Sequence, residues 1–147
     1  MTKIQDFSKK IVIVVRRDLE SWQVLNTVGH ISAYFGNQLK DDFDTGDSFV
    51  SKDGTHHPRN SQYPIVVLSA EEKDLYPLTQ EIKKKGLMTI NFIRGMIDIA
   101  EDLELEKDVL SKRDIELDYL GIGVFGIKTL LKKSQENLNY GTKNKFY

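Results

Sequence analysis

The chain has 147 residues, 29% of them charged and 39% hydrophobic, with 21 Lys and Arg against 22 Asp and Glu. That length supports one domain with a real core, and the near-balance of charge removes any global electrostatic case for a nucleic-acid or anionic-membrane partner. With no cysteine in the sequence, disulfides, thiolate metal sites and a cysteine nucleophile are excluded. No apolar run approaches the roughly 20 residues that span a bilayer. The start, MTKIQDFSKK, lacks the apolar centre of a signal peptide, so a cytoplasmic protein is expected.

Ile11-Val12-Ile13-Val14-Val15 is a continuous β-branched run, the pattern of a strand buried on both faces. Arg16-Arg17-Asp18 ends it, and Ser21 can cap the helix that follows. Val24, Val28, Ile31, Phe35 and Leu39 recur at helical spacing and are expected to face a sheet. Lys40–Asp47 reads as a loop. Phe49–His57 contains Asp53-Gly54, a hairpin signal, and reads as a short ribbon or an ordered excursion. Tyr63–Ser69 is the second clear strand, opened by Pro64, where a missing N–H is tolerated.

Ala70–Gly86 reads as a helix begun by Ser69 or by Glu71–Glu72, with Lys83–Lys85 in its last turn, charges that complement the helix dipole, and closed by Gly86. Pro77 either kinks it or marks its first turn. Leu87–Ile93 is a third strand, Met96–Asp102 a helical turn or loop, Leu105–Lys112 a short helix, Ile115–Val124 the fourth strand and Ile127–Asn137 a last helix, with a polar tail after Gly141. Alternating strands and helices imply a three-layer α/β/α sandwich with a mainly parallel or mixed sheet, as a single domain over 1–147 with its core at about 9–138.

Four groups of residues carry chemistry. Gln23, Asn26, His30 and Asn37 lie at offsets 0, 3, 7 and 14 on the first helix, an uncharged polar ridge beside the apolar stripe. Such a ridge suits polar contacts to a ligand, or to neighbouring loops. His56 and His57 follow the Asp53-Gly54 turn. Adjacent strand residues point to opposite faces and the spacing matches no metal motif, so no metal is expected. Gly121-Ile-Gly-Val-Phe-Gly126 is formally a dinucleotide fingerprint, but only about 20 residues follow Gly126, too few for the strand and acidic residue such a site requires. No cofactor is expected there. Gly121 and Gly123 allow close packing or a ligand near the strand, and Gly126 a turn into the last helix. Asp18 and Asp98 follow strands one and three and can pair with Arg17 or Arg94, or act as bases.

Strand KIVIVVRRDL, helix LNTVGHISAYFG, the DGTHH turn before YPIVVL, and LGIGVFGIKTLLKKSQENL together resemble the uncharacterised family called domain of unknown function 2000, over roughly residues 9–138. That family is similar in fold to the type II peptidyl-tRNA hydrolases. Those enzymes open with a strand ending Val-Arg-x-Asp-Leu, matched by Val15–Leu19, carry a helix histidine, for which His30 is the nearest counterpart, and close on a Leu-Gly-Ile-Gly-like strand, matched by Leu120–Gly123. The resemblance implies a four-stranded mixed sheet with helices on both sides.

The chain departs from the hydrolases where they place lysines at the start of the first helix. Here Trp22-Gln23-Val24-Leu25 stands in that region, and no lysine occurs from Glu20 to Leu39. Their acidic segment after the third strand is replaced by Arg94-Gly95-Met96, with Asp98 the nearest acid. The expected function is therefore a small-ligand or partner-binding module with this fold, the alternative being a hydrolase of peptidyl-tRNA or a related ester or amide. The expected catalytic residues are His30 and Asp98, and the ligand-binding residues Gln23, Asn26, His56, His57, Gly121 and Gly123. The expected partners are a small molecule or a protein, tRNA under the hydrolase reading, no membrane, and a second copy in a homodimer.

Overall fold

A computed structural model describes residues 5–43 and 46–127. The elements are β1 (Lys9–Arg16), α1 (Ser21–Leu39), a 3-10 turn (Lys40–Phe43), β2 (Phe49–Val50), β3 (His56–His57), β4 (Ile65–Ala70), α2 (Glu72–Lys84), β5 (Met88–Ile93), α3 (Gly95–Asp98), α4 (Asp102–Leu110), a second 3-10 turn (Asp114–Glu116) and β6 (Tyr119–Ile127).

The apolar run of β1 explains its central position. Ile11, Ile13 and Val15 pack with Ile31 and Phe35 of α1 and with Phe92 and Leu120. Val12 and Val14 pack with Leu75, Leu78 and Ile82 of α2 and with Ile93, Tyr119 and Ile122. Alternate β1 side chains therefore meet different helices, so the sheet lies between α1 and α2. The sheet order is β4-β1-β6-β5. β1 runs parallel to β4 and antiparallel to β6, and β6 is antiparallel to β5. The expected mixed four-stranded sheet is present.

α1 buries the stripe read from its periodicity. Ile31 and Phe35 are fully buried, each contributing about 1.5–3 kcal/mol of apolar burial. Val24, Val28 and Leu39 pack against the same cluster. Its start differs from expectation. Glu20, not Ser21, is the cap residue, because Glu20 has extended backbone angles and its N–H is taken by Gln23 Oε1 at 3.0 Å.

α2 begins at Glu72, so Pro77 lies in its second turn rather than its first. β6 begins at Tyr119 rather than Ile115. Arg113 N donates to Glu116 Oε2 at 2.8 Å and closes Asp114–Glu116 into a 3-10 turn, leaving Ile115 exposed. Gly126 pairs with Lys10 inside β6 and makes no turn into a helix. The helix expected over Ile127–Asn137 meets the end of β6 at Ile127 and otherwise lies outside the described residues.

β2 and β3 form a separate antiparallel ribbon, Phe49 opposite His57 and Val50 opposite His56. Its turn needs Gly54, whose φ is +85°, a backbone region that costs a residue with a Cβ about 1–2 kcal/mol.

Candidate functional site

The sheet brings the carboxyl ends of β1, β4 and β5 and the amino end of β6 to one edge. In mixed α/β sheets the carboxyl edge is where ligands bind. The edge here is built around Arg16. Strand alternation puts Arg16 on the side of Val12 and Val14, and its side chain is only 7% exposed. A buried guanidinium is stable only when its donors are taken by charged acceptors. Arg16 Nε donates to Asp18 Oδ1 at 2.7 Å, and Nη1 donates to Asp118 Oδ1.

Asp118 carries a second arginine. Its other carboxylate oxygen accepts from Arg94 Nε, and its backbone carbonyl accepts from the Arg94 N–H at 2.8 Å. Two guanidinium groups are thus bridged by one carboxylate, with charge-assisted bonds on both oxygens. The hydrogen bond to Asp118 holds the Arg94 guanidinium more firmly protonated than usual, and the fields of Asp118, Asp98 and Asp18 add to it. Arg94 Nη1 and Nη2 make no hydrogen bond to a described residue. Beside this cluster, Arg17 pairs with Glu71 at 2.9 Å across the ends of β1 and β4.

Arg94 opens onto a cavity of about 310 Å³ lined by Ile93, Gly95, Asp98, Ile99, Asp108, Lys112, Leu117 and Asp118 as well. Lys112, just past the end of α4, donates to both oxygens of Asp108 on that helix, at 2.7 and 2.8 Å, so an ion pair closes this wall. Asp98 lines the cavity from α3 and makes no ion pair or side-chain hydrogen bond to a described residue. Chemically, the cleft offers a guanidinium edge fixed in position, a separate carboxylate and three aliphatic walls.

The residues singled out in the sequence do not gather here as a set. Asp98 is in the cleft. Gln23 is engaged in capping α1, and Asn26 is exposed on that helix. His30 is exposed and stacks its ring on Phe92 at 5.3 Å, with 19° between the planes. Phe92 belongs to the α1 side of the sheet and Ile93 to the α2 side, so β5 lies between His30 and the cavity wall. No hydrogen bond or ion pair joins His30 to Asp98. His56 and His57 are exposed on the β2–β3 ribbon.

Gly121 and Gly123 hold no ligand space on the α1 side. A Cβ on Gly121 would lie 2.5 Å from Thr27 Cγ2, and one on Gly123 would lie 2.4 Å from Ile31 Cγ2 and 2.7 Å from Phe35 Cε2. These glycines let α1 approach β6. The pairings read for Arg17 and Arg94 also change: Arg17 binds Glu71, Arg94 binds Asp118, and Asp18 binds Arg16. Among the described residues, no group of three or more His, Asp or Glu is placed to hold a metal ion, and no helix is long and apolar enough to cross a membrane.

The family described as "Protein of unknown function (DUF2000)" matches residues 9–139. The chain belongs to this family. No curated protein matches it. Among solved structures, this DUF2000 domain is similar to Atu0240, a protein of unknown function from Agrobacterium tumefaciens strain C58, with a TM-score of 0.77 and 20% identity over 89% of this chain and 96% of that one. At that identity the likeness concerns the fold alone, so the reading of this DUF2000 cleft rests on its own residues.

Proposed function

We propose that the chain is a small-ligand-binding α/β domain whose ligand sits at the strand-end cleft, anchored by Arg94. The observation that carries this reading is a guanidinium fixed at Nε by Asp118, with its two terminal nitrogens making no hydrogen bond to a described residue, in a cavity of about 310 Å³. An arginine oriented by a neighbouring carboxylate loses little further freedom on binding an anionic group and can do so through two donors. That volume is at the lower end of the range for small-molecule sites, which favours a compact ligand over an extended one.

The test is an amide chemical-shift titration with small carboxylates and amino acids as probes. Saturable shifts are expected at Ile93–Asp98 and Leu117–Tyr119, and they should vanish in Arg94→Gln. Shifts confined to other parts of the chain, or unchanged by that substitution, would remove the cleft from consideration.

A hydrolase on a type II peptidyl-tRNA hydrolase-like fold is the second reading. It is favoured by Asp98, an exposed carboxylate within the field of Arg94 and without a partner among the described residues, which is suited to proton transfer or to orienting water. Against it stands α1, uncharged from Ser21 to Leu39, since binding a polyanion relies on Lys and Arg. Turnover of peptidyl-tRNA by the unmodified protein, lost in Asp98→Asn, would support the enzyme. A rate no higher than the uncatalysed one would dismiss it.

A further inference from the structure

The cleft that the small-ligand reading rests on has a charge pattern that narrows the ligand class. Asp118 is engaged by Arg16 and Arg94, and Lys112 is engaged by Asp108. The two lining groups left to meet a ligand are therefore the outer edge of the Arg94 guanidinium and the Asp98 carboxylate. They line the same cavity and approach no closer than ion-pair distance to one another, since no salt bridge joins them. A ligand bearing one negative and one positive group would fit between them. A dianion such as phosphate would meet Arg94 but also face Asp98, the lining carboxylate with no ion pair to a described residue, and like charges brought together in a partly enclosed site oppose binding. An amine alone would meet Asp98 but leave the guanidinium unmatched.

The rest of the lining is aliphatic. Ile93, Ile99 and Leu117 offer walls for a short apolar group, and burying such a group adds to affinity in proportion to the area removed from water.

We infer that the cleft binds a small zwitterion, an α-amino acid with a short aliphatic side chain, its carboxylate on Arg94 and its ammonium on Asp98. This deepens the proposed small-ligand function and depends on it.

The test uses the full chain and four probes in isothermal titration: L-valine, isovalerate (valine without its ammonium), isobutylamine (valine without its carboxylate) and inorganic phosphate. Valine is expected to bind at least about tenfold more tightly than either half-molecule, the scale of one additional charge-assisted contact. In Asp98→Asn, valine should fall to the affinity of isovalerate while isovalerate binds no worse than before. Asp98 is exposed and makes no side-chain bond to a described residue, so this variant keeps the fold. Isovalerate or phosphate binding as tightly as valine would overturn the zwitterion assignment and leave Arg94 as a simple anion site. No heat from any of the four probes would overturn both the assignment and the small-ligand reading beneath it.

Discussion

Replacing Asp118 by Ala would leave the nearly buried Arg16 with Asp18 alone, and Asp18 is 64% exposed. It would also free Arg94 at Nε. A buried charged donor deprived of its acceptor costs about 1–3 kcal/mol, at the lower part of that span here because Asp118 is itself 39% exposed and water screens the pair. Urea denaturation should register this loss, whereas Asp98→Ala, which removes no side-chain hydrogen bond or ion pair to a described residue, should stay within about 0.5 kcal/mol of the parent. The sequence makes Asp98 and Arg94 visible because each follows a clear strand. It hides Asp118, which lies 102 residues from Arg16 and reaches it only because β6 runs against β1. Arg16 was visible only as the end of an apolar run. Its burial depends on an acid whose register could be known only once the strands were paired. His30, by contrast, stands out in the sequence through residue type, yet the structure gives its ring a stacking contact with Phe92.

At the level of elements, the tightest joint is α1 against β6. Gly123→Ala would drive a methyl into Ile31 and Phe35, both fully buried, and overpacking of this kind costs about 1–3 kcal/mol. Gly29→Ala on the outer side of α1 meets nothing within 4 Å and should stabilise the helix by up to about 1 kcal/mol. Thermal melts of the two variants should therefore move in opposite directions. A shared direction would mean that α1 does not seat on β6 through these glycines. Regular side-chain periodicity made most elements readable: the β-branched run of β1, the apolar stripe of α1 and the Asp53-Gly54 ribbon turn all stand where the sequence puts them. Ile115 and Leu117 extend the apolar alternation of β6 upstream, so the sequence pattern places its start earlier than Tyr119. The turn that stops it is made by Arg113 and Glu116, which bond locally, and such side-chain competition for the backbone leaves no periodic signature.

For the whole molecule, two phenols tie stability to alkaline pH. Burial is the first cause that pushes both Tyr63 and Tyr119 above the ordinary tyrosine value, with nearby Asp42 and Asp114 respectively next in weight. Below about pH 10 both folded and unfolded chains hold these protons. Above it the unfolded chain releases them first, so stability falls as pH rises through the window between the unfolded and folded values. Urea midpoints measured from about pH 9 to about pH 11 should decline, and the slope should be shallower in Tyr119→Phe, which also loses the 2.9 Å bond to the Asp114 carbonyl. An unchanged slope would mean that Tyr119 is solvated in the native state. The strand order carries a different consequence, one of timing during synthesis. β6 lies between β1 and β5, yet its residues leave the ribosome after every other strand of the sheet. Until then the nascent chain can pair β1 only with β4, and β5 has no neighbour. Unpaired edges of this kind invite contacts between chains. Arg16 is without Asp118 for most of that interval, so the ion pairs that build the cleft cannot be complete before the residues leading into β6 are made.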